Sequence, residues 1–324
     1  MKIVFLGSPE FSIKPLQALV DSRHQILAVV TQPDKPAGRG NKLTPCAVKV
    51  YAEKNGLKVL QYLKISRDGV QDIKDMNPDI MITAAYGQIL SQEIIDIPKY
   101  GIINVHASLL PKYRGASPIQ AAVMNGESET GITIMQTEAG LDTGDIITSV
   151  KTPIGEYETA GELSGRLSSM GADLLLETLD LIEKGETNPV KQSQVEATIT
   201  TKIYKEDCVV NFNKSAKQVK NLVCGSNPDP IARAILQNNG SDEEIIVKIH
   251  SVRIHEENGQ KAEPGTVVDP TSAKNGVFVA CGSGVVELGL IQFPGKNIVE
   301  AKTMVAGRKI NVGDKFIFKV SSVK

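Results

Sequence analysis

The chain contains only four histidines, His24, His106, His250 and His255. His106 follows Asn104 by two residues, at the end of the run Gly101-Ile102-Ile103-Asn104-Val105. In a strand, residues two apart share a face. The pair stands at the run's carboxyl end, where open α/β sheets keep their sites. An imidazole beside a carboxamide offers two polarising groups to one carbonyl oxygen. The same pair would also suit a structural role, satisfying loop backbone. Asp142 and Asp145 fall in the turn-rich Glu138-Ala139-Gly140-Leu141-Asp142-Thr143-Gly144-Asp145. A carboxylate from that turn can reach the same crevice and orient the imidazole. Asp-Thr-Gly also favours turns unaided.

Two other stretches could bind a substrate. Pro33 to Pro45 holds Lys35, Arg39 and Lys42 against the single acid Asp34, with Gly38 and Gly40 between. A thirteen-residue connection without periodicity is long for a βα loop. Its positive charge suits an anionic substrate, and a solvated surface loop is the alternative. Gly7-Ser8-Pro9-Glu10 follows the first apolar run. It lacks the G-x-G-x-x-G fingerprint, and Pro9 has no N–H to offer a phosphate. No G-x-x-x-x-G-K-[ST] occurs either. A nicotinamide oxidoreductase or nucleoside-triphosphate enzyme is therefore disfavoured.

The elements that must position these residues follow from pattern. Short apolar runs at Lys2–Leu6, Ile26–Val30, Lys58–Leu60, Ile80–Thr83 and Ile102–Val105 read as buried strands. Helical patterns lie between them, around residues 10–20, 45–54, 68–75 and 117–124. Ser8 suits the first helix's N-cap, and Pro9 its first helical position. This alternation predicts an α/β fold: a Rossmann-like, mostly parallel sheet with helices on both faces. Gly131–Gln136 and Asp145–Lys151 read as a closely spaced antiparallel hairpin. A long helix follows, opened by a Thr159/Glu162 capping box and closed by Gly185.

Residues 186–201 are polar and aperiodic. The expected division is a catalytic domain over 1–190, a linker over 191–208 and a second domain over 209–324. That second domain predicts a helix over Ser215–Val223. Five short strands follow, at 244–252, 265–269, 276–280, 285–291 and 315–320, which suggest a small OB-like barrel.

Composition supports an ordinary folded chain: 324 residues, 41% hydrophobic, 23% charged, and 36 Lys and Arg against 37 Asp and Glu. Near-cancelling charge with high apolar content argues against intrinsic disorder. No apolar run approaches the roughly 18 residues of a membrane span. Residues 201–324 hold 17 basic and 13 acidic side chains, a mild lean towards an anionic partner. Cys46, Cys208, Cys224 and Cys281 are widely separated, which predicts reduced thiols in a cytoplasmic protein, with neither a disulfide framework nor a zinc site. No heptad or other dimerisation segment is evident, so a monomer is expected.

Several blocks together resemble the methionyl-tRNA formyltransferase family. They are Phe5-Leu6-Gly7-Ser8-Pro9-Glu10-Phe11, Thr31–Gly40, Ala84-Ala85-Tyr86-Gly87-Gln88-Ile89-Leu90, Asn104–Gln120 and Gly140-Leu141-Asp142-Thr143-Gly144-Asp145. The resemblance implies formyl transfer from 10-formyltetrahydrofolate to the α-amino group of methionyl initiator tRNA, with no metal. It gives the catalytic role to Asn104, His106 and Asp142. Asn104 and His106 would hold the oxyanion of a tetrahedral intermediate, and Asp142 would orient His106 and help move a proton. Folate binding falls to Ser108, Leu109, Leu110 and Pro111, together with Tyr86, Gly87, Gln88, Ile89 and Leu90. Lys35, Arg39 and Lys42 would grip tRNA phosphates, and the C-terminal barrel would bind tRNA. The Asn–His–Asp set is shared by folate-dependent formyltransferases generally. A formyltransferase for a small amine such as an amino sugar therefore stays open, and a non-enzymatic nucleic-acid binder is a further alternative.

Overall fold

Ile3, Val4, Phe5 and Leu6 have no exposed surface. Only a strand covered on both faces buries a continuous apolar run in this way. They form β1 (Lys2–Gly7), at the heart of a seven-stranded sheet. Its other members are β2 (Gln25–Thr31), β3 (Val59–Gln61), β4 (Ile80–Ala84), β5 (Ile102–His106), β6 (Glu129–Gln136) and β7 (Ile146–Pro153), in the order β7-β6-β5-β4-β1-β2-β3. The five strands from β3 to β5 run parallel. β6 pairs antiparallel with β5. This is the mostly parallel architecture that the alternation of elements implies.

The computed structural model describes residues 1–37, 40, 42–269 and 276–319. The chain divides into two compact units. The first comprises Met1–Pro118, Glu129–Thr152 and Ser164–Thr200. The second comprises Ile119–Ser128, Pro153–Leu163 and Thr201–Lys324.

Helices α1 (Ile13–Val20), α2 (Ala47–Lys54), α3 (Val70–Met76) and α4 (Pro118–Met124) fall close to the expected positions. The N-terminal cap differs from expectation. Ser8 is not the N-cap, because its hydroxyl accepts the Gln32 N–H at 3.0 Å. Pro9 instead precedes a single 3-10 turn, Glu10–Ser12, that leads into α1. Helix α5 (Ala160–Lys184) opens with the reciprocal Thr159–Glu162 hydrogen bonds of a capping box. Gly185 closes it at φ 70°. Within the first unit, Gly171 lets this helix approach β5 closely. A Cβ there would stand 2.9 Å from Val105 Cγ1.

The stretch 191–200, expected as part of a linker, is instead fastened to the first unit. Thr198 and Thr200 accept the backbone N–H groups of Arg114 (2.8 Å) and Ala116 (3.1 Å). Ile199–Thr200 forms a two-residue parallel ladder with Arg114–Gly115. Hydrophobic periodicity cannot reveal such a strap, because backbone and polar side chains make its contacts.

The final stretch of the second unit contains α6 (Ala216–Gly225), capped by Ser215 and Gln218. Its strands are β8 (Ala232–Gln237), β9 (Glu244–Ile249), β10 (Val252–Glu256), β11 (Val267–Val268), β12 (Val277–Ala280), β13 (Val285–Leu288), β14 (Leu290–Gln292), β15 (Val299–Glu300) and β16 (Lys315–Ile317). They form two antiparallel sheets, β15-β14-β9-β8-β16 and β10-β13-β12-β11. The sheets are continuous. β9 runs on into β10, and β13 into β14. The Phe316 N–H donates to Gly265 C=O at 2.8 Å, joining β16 to β11. The ladder thus closes into a barrel around Val247, Val279, Val286, Ile291 and Phe316. Val299–Glu300 and most of Val252–Glu256 lie beyond the five strands read from sequence, and so does the longer strand Ala232–Gln237. Its Arg233 and its small residues Ala232 and Ala234 break the apolar signal.

All four cysteines are free, and Cys208, Cys224 and Cys281 are buried. Burial pushes the Cys208 thiol up to about 11 and the Cys281 thiol up to about 12, and raises that of Cys224. Thiols so placed carry little thiolate at neutral pH. A disulfide-exchange reagent at about pH 8 is therefore expected to label Cys46 alone in native protein, and all four cysteines after unfolding in guanidinium. Rapid native labelling of more than one thiol would contradict this packing.

Candidate active site

The carboxyl end of β5 brings three of the sequence-selected side chains together. Asn104 Nδ2 donates to Asp142 Oδ1 at 3.3 Å. His106 Nδ1 stands 3.7 Å from Asp142 Oδ2. The alternation of β5 sends Asn104 and His106 to one face, as their spacing requires. Thr83, the register partner of Asn104 on β4, donates its hydroxyl to Asn104 Oδ1 at 3.0 Å. The carboxylate only accepts, so the amide turns Nδ2 towards Asp142 and leaves Oδ1 for the Thr83 hydroxyl. Thr83 went unnoticed in the sequence, although it is the one polar residue inside the buried run Ile80–Ala84.

His106 is 6% exposed, and its Nε2 lies 3.0 Å from the Tyr113 carbonyl oxygen. A carbonyl can only accept, so Nε2 carries a proton. Nδ1 is the ring nitrogen left facing Asp142.

Asp142 sits at φ 49°, a left-handed conformation that Asp tolerates better than most residues. Its Oδ2 accepts the Gly115 N–H at 2.8 Å. The loop that supplies this donor is fixed at several points. Ser108 donates its hydroxyl to the Lys112 carbonyl at 2.7 Å, and Thr133 donates to the Ser108 carbonyl at 2.7 Å. Tyr113 N–H donates to Thr198 Oγ1 at 2.8 Å. The Leu110–Pro111 peptide is cis.

The other selected residues are disposed as follows. Leu110 is buried, while Leu109 and Pro111 are partly exposed. Tyr86 and Leu90 belong to the core beneath the sheet, together with Val4, Leu6 and Met81. The Tyr86 hydroxyl is buried without a partner, and burial raises its pKa. Gln88 is spent on structure: its Oε1 accepts the Ile65 N–H, and its Nε2 donates to the Tyr62 carbonyl, both at 2.9 Å. Ile89, by contrast, is 88% exposed. From Tyr86 to Leu90, the surface available to a ligand is backbone and the Ile89 side chain.

The basic loop is more regular than its composition suggests. Lys35–Ala37 and Lys42–Thr44 pair antiparallel, with Ala37 opposite Lys42. That register sets Lys35 and Lys42 on one face of a small hairpin and Leu43, 71% exposed, on the other. Arg39 lies outside the described residues. At the hairpin's root, Asp34 accepts from Lys49 Nζ at 2.8 Å and from Gln61 Nε2 at 2.9 Å. The Lys49 bond, then the Gln61 bond, hold the Asp34 carboxyl below its ordinary value. Among the described residues, no three His, Cys, Asp or Glu side chains converge to hold a metal ion. None of the described helices is long and apolar enough to cross a membrane.

Fold and site together define a class, the formyl transferases. Residues 1–179 match the formyl transferase family model, and residues 202–309 match its C-terminal domain model. The chain is 42% identical to the methionyl-tRNA formyltransferase of Acetivibrio thermocellus, covering 97% of this chain and 99% of that one. It is 41% identical to that of Alkaliphilus metalliredigens, covering 97% of each. It belongs to the methionyl-tRNA formyltransferase family. Among solved structures, the N-formyltransferase of Helicobacter canadensis, in complex with folinic acid and dTDP-3-aminofucose, superposes with a TM-score of 0.64. That match is 19% identical and covers 89% of this chain and 99% of the other, a likeness of fold.

Two outcomes follow from this geometry. Gly115 sits at φ 97°, and a Cβ there would stand 2.5 Å from the Thr200 carbonyl oxygen. Gly115→Ala is expected to lower unfolding free energy by about 1–3 kcal/mol, read from urea denaturation. An unchanged midpoint would contradict the strap. The second outcome concerns Asp34. Because its native pKa is lowered, its stabilisation is present above the unfolded value of about 3.9 and is lost as pH falls through the native value. Asp34→Asn is expected to melt below wild type at about pH 6, and the gap should narrow as pH falls below the unfolded value of about 3.9. A gap independent of pH would show that the ion pair is not its source.

Proposed function

We propose that this chain transfers the formyl group of 10-formyltetrahydrofolate to the α-amino group of methionyl initiator tRNA, in the cytoplasm and as a monomer. The observation that carries the reading is the convergence of Asn104, His106 and Asp142 at the carboxyl end of β5.

An α-amine titrates near pKa ~8, and its ester neighbour lowers that, so a free nucleophile is present at neutral pH. No covalent enzyme intermediate is needed. The amine attacks the formyl carbon, and the carbonyl oxygen becomes an oxyanion; its collapse breaks the bond from the formyl carbon to N10, and tetrahydrofolate leaves with N10 taking up the proton that the attacking nitrogen sheds. Asn104 spends one N–H on Asp142 and has a second to offer that oxygen. His106 offers Nδ1 on the same face as a donor in its imidazolium form, in which both ring nitrogens carry protons. A donor aimed at developing charge contributes roughly 3–4 kcal/mol. Asp142, fixed by Gly115, helps remove the proton that the attacking nitrogen sheds. The 3.7 Å gap between His106 and Asp142 suits a site that tightens once substrates bind. Backbone groups of Ser108, Leu109, Leu110 and Pro111, the backbone of Tyr86–Leu90, and exposed Ile89 would hold the folate. Lys35 and Lys42, together with Arg39, would place the acceptor arm through its phosphates without reading bases. The mildly basic stretch 201–324 would extend that contact.

The test is formyl transfer from 10-formyltetrahydrofolate to charged initiator tRNA, with uncharged tRNA and free methionine as controls. Formylated methionyl-tRNA with both controls unmodified is the expected result. Transfer to an amino sugar with aminoacyl-tRNA inert would replace the acceptor while keeping the site. Asn104→Ala and Asp142→Ala are each expected to lower turnover at least ~100-fold with the fold intact. Near-wild-type rates in both would remove the catalytic assignment.

A further inference from the structure

Asp142 is held from two sides, and only one side is its carboxylate. Gln192 is 8% exposed, and its Nε2 donates to the carbonyl oxygens of Asp142 (2.8 Å) and Gly144 (2.7 Å). Its Oε1 accepts from Arg114 Nε at 2.9 Å. Arg114 is 4% exposed, and its Nη1 donates to Gln194 Oε1 at 3.0 Å. Gly115, next in the chain, returns its N–H to the Asp142 carboxylate. The contacts close a ring from Asp142 carbonyl to Gln192, to Arg114, through one peptide to Gly115, and back to Asp142 carboxylate.

A buried amide that fills both its donor and acceptor ends in this way has one low-energy orientation. It also spans the two ends of the left-handed turn at Asp142, a conformation that persists only where its surroundings over-determine it. Nothing else among the described contacts grips the Asp142 backbone from this side.

We propose that Gln192 is a positioning residue for the transfer reaction, fixing where the Asp142 carboxylate stands relative to Asn104 and His106. The segment after α5 therefore acts on the reaction centre without touching substrate. This inference rests on the reading of Asp142 as a working group of the site.

The experiment compares Gln192→Leu, Asp142→Ala and the double variant in the full-length protein. Single-turnover formyl transfer, KM for the formyl donor and for charged tRNA, and melting temperature are measured for each. Gln192→Leu is expected to slow transfer at least ~10-fold with both KM values within about twofold, since a small misplacement of a positioned group costs that much. In the Asp142→Ala background the same substitution should cost nothing further, because its effect runs through Asp142. A purely structural role would lower melting temperature and multiply with the Asp142 loss, and that result overturns the proposal. If Gln192→Leu does not fold, Gln192→Glu keeps the acceptor for Arg114 and removes the donor towards the turn. A wild-type rate in Gln192→Glu would then overturn it. Should Asp142→Ala itself run at wild-type rate, the reading of the site fails. Should only Gln192→Leu do so, the positioning role alone fails.

Discussion

The hydrogen bond from the Gly115 backbone to the Asp142 carboxylate ties together the rest of the cluster at the carboxyl end of β5. It joins two loops that leave the sheet from different strands. A carboxylate without such a donor would swing with its turn, and a turn built on a left-handed aspartate has little stiffness of its own. With the bond in place, one oxygen is fixed and the other is left to meet the Asn104 amide. That carboxylate, which only accepts, turns the amide's nitrogen inward, and Thr83 takes up the amide's oxygen. Thr83 is at hand for that oxygen because it and Asn104 are direct register partners across β4 and β5.

The two faces of the sheet divide their work. The core beneath the strands absorbs Tyr86 and Leu90, two residues whose types suit ligand contact equally well. What remains for a ligand is set by what the core does not consume. Ile89 is left exposed between them, and Gln88 is committed to stapling its loop to the turn around Tyr62 and Ile65. An apolar residue next to a site is therefore a poor guide to contact until the demands of packing are subtracted.

Much of the architecture was legible from residue order. The runs around Ile3–Leu6, Ile80–Ala84 and Ile102–Val105 are buried on both faces, and that continuity marks parallel strands. The pair Thr159 and Glu162 marked the start of α5 because a capping box is local chemistry. Asn104 and His106 were readable as a pair because period two is strict in a strand. The failures have two causes. Gln192, Thr198 and Thr200 act through partners about eighty residues away or at the far end of a turn, and no periodic signal records such contacts. Ala232–Gln237 was missed because Arg233 and two alanines dilute its hydrophobicity. Ser8 looked like a cap and instead serves Gln32, a partner that only the fold brings near.

The strap at Thr198 and Thr200 changes where this protein can be divided. The two family models leave a gap between residues 179 and 202, which invites a cut anywhere inside it. A fragment ended at 179 would keep every strand of the large sheet yet lose the pieces that brace the Tyr113–Ala116 loop and the Asp142 turn. Chimaeras that exchange the barrel between relatives should therefore join after Thr200. The last stretch of the second unit starts at Thr201, before the 209 that sequence texture suggests, and the first unit keeps its own tail.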